Sequence, residues 1–229
     1  MIDMKSGNSK YDREALQRLY RERFGKRSAY RDKVWQVLVA DFFQEFVRSG
    51  DTVLDLGAGY GEFINHIHSA KKYAMDLNPD TPQKVQNNVE VITQDCSHPW
   101  PLQDATLDIV FSSNFFEHLP DRGAFRRTLK EAKRCLKPGG RLIALGPNIR
   151  HTGEAYWEVE DHRLPFTEQT MAQALREAGF VIEKCIDKFL PFTMADGPEY
   201  PAFFVATYLR FPLAWRIFGK QFLVIGKKV

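Results

Sequence analysis

The stretch Val53 to Phe63, VLDLGAGYGEF, runs from a strand-like apolar run into three glycines spaced two apart, Gly57, Gly59 and Gly61. Glycines placed this way let a ligand approach the backbone closely and open a helix towards it. A dinucleotide loop of the GxGxxG type would place its third glycine where Glu62 stands. A carboxylate in the first helical turn suits a helix N-terminus and a nearby cation but repels a pyrophosphate. The ligand expected here is therefore less anionic than a dinucleotide.

Three further acids sit at the ends of apolar runs. Asp55 closes the first and could meet a positive group of the ligand. Asp76, 19 residues beyond Gly57, is placed to accept hydrogen bonds from both hydroxyls of a ribose. Asp95, 19 residues further on, could take an adenine amino group, or could merely cap a turn. A ribose, an adenine and a cationic tail together describe an adenosyl amino-acid sulfonium.

The elements that would position these residues follow from the alternation of apolar runs and helical patterns. TVLDL (52–56), KYAMD (72–76), VEVIT (89–93), LDIVFS (107–112) and RLIALG (141–146) have the length of strands buried on both faces. Helices are expected at about 61–70, 122–136, closed by KPGG, and 167–178, with Thr167 as cap and Gly179 as stop. FVIEKCIDKFL (180–190) and KQFLVIGKK (220–228) read as two last strands bracketing an aromatic excursion. The fold class is α/β: a Rossmann-like three-layer sandwich on a mostly parallel seven-stranded sheet with an antiparallel last strand. Two basic amphipathic helices, about 11–24 and 30–47, precede it. The expected organisation is N-terminal helices over 1–48 packing on a domain at 49–229, with insertions on the acceptor side at about 147–166 and 191–219.

With these motifs in order, the chain resembles the class I S-adenosylmethionine-dependent methyltransferases. The likeness covers roughly residues 50–150 and is carried by VLDLGAGYGEF, YAMDLNPD, TQDCS, ATLDIVFSSNFFEHLPD and LKPGGRLIALGPN. It implies S-adenosyl-L-methionine as cofactor and S-adenosyl-L-homocysteine as product. It also implies that Gly57 and Gly59 line the methionine part, Asp76 the ribose, and Asp95 with Cys96 the adenine, with Asp55, Ala58, Tyr60, Leu77 and Phe115 also among the cofactor-binding residues. Asn114, just past the fourth strand, would close over the cofactor through its backbone.

Methyl transfer to a hydroxyl needs alignment and a base, the base adding typically about 10²–10⁴-fold. Glu117 and His118, just past the fourth strand, are the first candidates, the histidine being suited to proton transfer near neutrality. They could instead only pin the loop before Pro120. His162 is the second candidate base, with the adjacent Asp161 able to orient an imidazole. Some relatives bind a divalent metal in the first of these segments, but Asn114 replaces the first acid here, so no metal is expected. SSNFF lacks the Asn/Asp-Pro-Pro-aromatic pattern used for planar nitrogens, which argues against adenine or glutamine acceptors.

The 229 residues are 44% hydrophobic and 27% charged, enough for one good core. Cys96, Cys135 and Cys185 have no paired spacing, so reduced thiols and a cytoplasmic setting are expected. The net charge of +3 does not call for nucleic acid, and the basic residues at 10–33 are interleaved with acids. The aromatic stretch 201–223 reads either as a helix pair walling the pocket or as an interfacial surface touching the inner face of a membrane. The acceptor expected is a small molecule, a saccharide or a lipid-linked saccharide, the C-terminal portion resembling enzymes of bacterial polysaccharide and glycolipid assembly. The competing readings are an RNA or other macromolecule methyltransferase and a non-catalytic cofactor-binding protein.

Overall fold

The structure, a computed structural model, describes residues 27–192 and 198–229. The helix expected at 11–24 lies outside them. Seven strands form one sheet in the order β3-β2-β1-β4-β5-β7-β6: β1 Thr52–Leu56, β2 Lys71–Met75, β3 Val89–Ile92, β4 Leu107–Ser113, β5 Leu136–Pro147, β6 Phe180–Ile186 and β7 Gln221–Lys228. All pairings from β3 to β5 are parallel, and β7 alone runs antiparallel between β5 and β6. This is the Rossmann-like arrangement expected, with its antiparallel last strand.

Strand alternation divides the core between the two faces. Leu54, Leu56 and Val110 point to a layer that includes α4 (Arg122–Cys135) and α6 (Glu168–Glu177). Val53, Ile109 and Phe111 point the other way, towards α1 (Ser28–Asp41), α2 (Glu62–His66) and α7 (Ala202–Arg210). On that second face Phe63 stacks on Phe111 with ring centroids 3.7 Å apart, and Trp35 meets Phe111 edge-on at 5.9 Å. The first described helix is thus built into the core through its aromatic side.

Several boundaries differ from the sequence expectation. The helix expected at 61–70 is the five residues of α2, because the chain turns extended at Ile67, whose side chain is fully buried. The helix expected to 47 ends at Asp41 and gives way to a 3-10 turn at Phe43–Phe46. KPGG is no loop: β5 starts directly after α4, pairs Leu136 with Leu107, and bulges before Arg141 meets Ile109. The strand expected to 190 stops at Ile186, although the Phe189 N–H still donates to the Gln221 carbonyl. The remaining short helices are α3 (Thr81–Lys84), α5 (Ile149–Thr152) and α8 (Pro212–Phe218).

β1 and β4 are neighbours in the sheet although their connections lead in opposite directions, which opens a crevice at their carboxyl ends. Ligands of doubly wound sheets bind at such a crevice.

Candidate active site

A cleft of about 590 Å³ occupies this crevice. Its floor is the glycine loop. Gly57, Gly59 and Gly61 all have left-handed backbones, with φ of 74°, 54° and 76°. A Cβ on Gly57 would lie 2.2 Å from Cγ of Phe115, so glycine is required there both by conformation and by space. The loop amides are committed inside the protein: Gly57 donates to the Met75 carbonyl at 2.8 Å, Gly61 to that of Ala58 at 2.7 Å, and Gly59 to Oδ2 of Asp76 at 2.7 Å. Amides spent in this way are not arrayed to cradle a phosphate.

The acids around the loop are buried. Asp76, 7% exposed, also accepts from the Asn78 N–H through Oδ1 at 2.7 Å, which fixes the carboxylate at the tip of β2. Burial raises its pKa above the usual carboxylate range, and the two backbone bonds offset only part of that. Asp55 is pushed well above the range, by burial first and then by the negative charges of Glu62 and Asp76. A cation delivered here would relieve both groups. The side-chain chemistry therefore fits a ligand with a ribose and a cationic tail, with Asp76 and Asp55 to receive them.

Glu62 does not wait for a ligand cation. Arg31 of α1 meets its Oε1 at 2.8 Å, with both side chains mostly buried against the cleft. By sequence Arg31 is one of many basic residues and Trp35, one turn further along, broadens the apolar stripe of the helix; both also line the cleft. The available signal was their i, i+4 spacing, which puts them on one face of the helix.

Of the other residues expected to hold a cofactor, Ala58, Leu77, Asp95, Cys96, Asn114 and Phe115 line the cleft. Asp95 also accepts from the Ser97 N–H at 2.8 Å, so it caps a turn and faces the cleft at once. Burial pushes the Cys96 thiol up to about 12, which keeps it neutral. Asn114 adopts a left-handed backbone, φ 48°, and its N–H donates to the Leu145 carbonyl at 2.9 Å. Tyr60 is the exception: it is not among the cleft-lining residues, and its ring lies 5.2 Å from the Lys84 ammonium.

The 3-10 turn Phe116–His118 carries Glu117 and His118 into the cleft wall. The Glu117 carbonyl accepts from the N–H groups of Arg163 and Leu164 at 2.8 and 3.0 Å, which docks the segment after β5 onto this turn. At its base Asn148 donates through Nδ2 to the buried Glu168 at 2.6 Å. These ties bring together His118 and Asp161, 43 residues apart in the chain. Nδ1 of His118 lies 3.0 Å from Oδ2 of Asp161, so the acid oriented by sequence next to His162 serves His118 instead. Nδ1 of His162 contacts the Tyr156 carbonyl at 2.8 Å, and the two imidazole rings are 4.9 Å apart.

Burial alone would lower the His118 pKa, but the hydrogen bond it donates to Asp161 and the charges of Glu117 and Asp161 outweigh it, and the net shift is upward. Its Nδ1 is engaged by the Asp161 carboxylate, which leaves Nε2 to exchange a proton, 3.9 Å from Oε1 of Glu117. Glu117, His118 and His162 also offer ligand atoms that all lie within 4.8 Å of one another, a spacing able to hold a metal ion. Asn114, the position of the acid that is missing, bonds through its own Nδ2 to Oγ of Ser113 at 3.0 Å.

A second concavity, about 620 Å³, lies between α4 and α6. Of the cations that line it, Arg134 pairs with Glu131 and Asp104 and Lys228 donates to the Leu136 carbonyl, and the concavity is away from the carboxyl ends of the strands.

Comparison with known proteins agrees with this geometry. A family model described as "Methyltransferase domain" matches residues 27–184. Among curated proteins, the chain is 34% identical over 107 residues to a sarcosine/dimethylglycine N-methyltransferase of Halorhodospira halochloris, covering 42% of this chain and 37% of that protein. It is 29% identical over 130 residues to a 27-O-demethylrifamycin SV methyltransferase of Amycolatopsis mediterranei, covering 52% and 46%. These matches span less than half the length of either relative. Among solved structures, a SAM-dependent methyltransferase from Archaeoglobus fulgidus aligns with a TM-score of 0.60 at 19% identity over 95% of each chain. One from Aquifex aeolicus gives 0.59 at 20% identity over 96% of this chain and 100% of that one.

Proposed function

The chain belongs to the methyltransferase domain family, and from that premise we propose that it is an S-adenosylmethionine-dependent methyltransferase acting on a hydroxyl of a small molecule, a saccharide or a lipid-linked saccharide. The observation that carries the hydroxyl assignment is the Asp161–His118 pair, a 3.0 Å contact at the cleft wall. Asp161 holds the imidazole by Nδ1, so that Nε2 can take the proton of an acceptor hydroxyl. The bound cofactor supplies an electrophilic methyl group on a cationic sulfur. Asp76 would receive the ribose hydroxyls, Asp55 the positive charge of the amino-acid tail, and Asp95 with Cys96 the adenine. Leu119, Phe115 and Val159, apolar residues of the lining, limit water in the same space. His162, backed by the Tyr156 carbonyl, is placed to bind the acceptor or to assist His118.

The reaction so read uses no metal. The close approach of Glu117, His118 and His162 favours a second reading in which a divalent cation binds the acceptor oxygen. Activity that survives chelation selects the first reading, and activity restored only by added magnesium or manganese selects the second. The exposed aromatic side chains on the helices near the C-terminus support the lipid-linked alternative among these acceptors. The test of the function is a screen of sugars, sugar nucleotides and lipid-linked saccharides with radiolabelled methyl donor. Labelled product from a hydroxyl acceptor is expected, with the rate cut by about 10²-fold or more in His118→Gln. Label appearing only on nitrogen or carbon, or full activity in that variant, would overturn the assignment.

A further inference from the structure

Helices α7 and α8 break the usual pattern of a surface helix, which turns an apolar stripe inward and a polar one outward. The inward faces are conventional: Leu209 is buried, and Val205, Tyr208 and Trp215 pack against the core. Tyr208 donates to the Phe189 carbonyl at 2.6 Å, and the Trp215 indole N–H to the Tyr208 carbonyl at 2.9 Å, so the pair is firmly seated. The outward faces are apolar as well. Phe203, Leu213 and Ile217 are each 72% exposed, and Phe204, Phe211 and Phe218 are 57–60% exposed. Five large apolar side chains on two adjoining short helices, with Phe211 between them, exceed the scatter normal for a soluble surface.

The charge of the same segment is one-sided. From Tyr200 to the last residue there is no Asp or Glu, while Arg210, Arg216 and Lys220 are all exposed. Arg210 has Asp41 of α1 at 3.7 Å, and Glu199 precedes α7. Aromatic and aliphatic side chains interleaved with cations match the boundary between acyl chains and anionic headgroups. No described helix is long and apolar enough to cross a membrane, and α7 and α8 have only nine and seven residues, so the pair suits lying in the surface plane.

We infer that α7 and α8 form a docking face for an anionic lipid surface. Its place in the fold gives the docking a use. β7 follows α8 directly and runs antiparallel, so α8 ends at the carboxyl edge of the parallel strands, where Gln221 and Pro147 are paired and both line the cleft. The docking face is therefore continuous with the rim through which an acceptor enters. Docking rests on the exposed residues and not on the proposed methyl transfer, and the two are measured separately.

The test is sedimentation of the full chain with vesicles of phosphatidylcholine alone and of phosphatidylcholine containing phosphatidylglycerol. Binding to the anionic vesicles and little to the neutral ones is expected. The triple variant Phe203→Ser, Leu213→Ser, Ile217→Ser should bind about 10²-fold or more weakly, since burying each such side chain is worth on the order of tenfold. Arg216→Gln with Lys220→Gln should cost about fivefold for each charge, and raising salt from about 0.15 M to about 1 M should weaken binding in the wild type. All five positions are exposed, so unfolding temperature and cofactor binding should be unchanged, which separates lost docking from lost structure. Absence of binding to anionic vesicles, or equal binding by the triple variant, would overturn the inference. So would a dimer in light scattering that the triple variant dissolves, since a second copy would then cover the face.

Discussion

Asp161→Asn removes the charge that orients His118 while keeping the size of the side chain. A hydrogen bond to a charged group contributes about 1.5–3 kcal/mol. If most of that holds the imidazole in its reactive orientation, its loss lowers kcat by roughly 10–10²-fold with KM little changed. A purely structural role would not move the pH dependence, and this reading does. Asp161 and Glu117 raise the His118 pKa above its ordinary value near 6.5 against the opposing effect of burial. A raised imidazole pKa contributes stability that is fully present below the unfolded value and is lost as pH rises through the folded one. The variant should therefore be destabilised more at about pH 5.5 than at about pH 9, and the acidic limb of its rate profile should move to lower pH. Proton NMR of the His118 ring reads the titration directly and needs no acceptor. A midpoint that stays where it was, or an equal loss of stability at both pH values, would refute the pairing.

Gly57→Ala must place a methyl 2.2 Å from Cγ of Phe115 on a left-handed backbone. The backbone strain alone costs about 1–2 kcal/mol, and Phe115 has to leave the cleft wall, so calorimetry should show cofactor affinity down by more than tenfold (about 1.4 kcal/mol). Trp35→Ala removes a 5%-exposed indole from the aromatic cluster with Phe63 and Phe111. Chemical denaturation should find the protein about 3–5 kcal/mol less stable. His162→Gln should reduce the methyl transfer rate less than His118→Gln, as the Nδ1 contact of His162 is to the Tyr156 carbonyl whereas that of His118 is to the Asp161 carboxylate.

The sheet and the acids that line the cleft were legible because both depend on local pattern. Apolar runs of four to six residues separated by helical patterns suit a parallel sheet buried on two faces, and the carboxylates at the ends of β1 and β2 reach the crevice by register. The glycine spacing pointed to a tight loop, and its three left-handed residues form one. What sequence could not disclose were contacts fixed by packing across long separations. Asp161 was read with its neighbour His162, yet the backbone turns the two apart, and docking of residues 163 and 164 onto the Glu117 carbonyl hands the acid to His118. Arg31 reaches Glu62 only because the aromatic side of α1 is buried against Phe63 and Phe111. Tyr60 was read as part of the ligand loop by position, but a side chain between two left-handed glycines can point either way, and here it lies beside Lys84.

The cleft's identity as the seat of S-adenosylmethionine is tested most directly by isothermal titration of the wild type and of Asp76→Ala with S-adenosylmethionine, with NAD as a control ligand. Asp76 is fixed by the N–H groups of Gly59 and Asn78 and lines the cleft, where the proposed ribose would meet it. The account predicts saturable binding of S-adenosylmethionine to the wild type, none of NAD, and affinity at least about 10²-fold lower in the variant (about 2.7 kcal/mol), with circular dichroism showing it still folded. Equal affinity in a folded Asp76→Ala, or a preference for NAD, would contradict it.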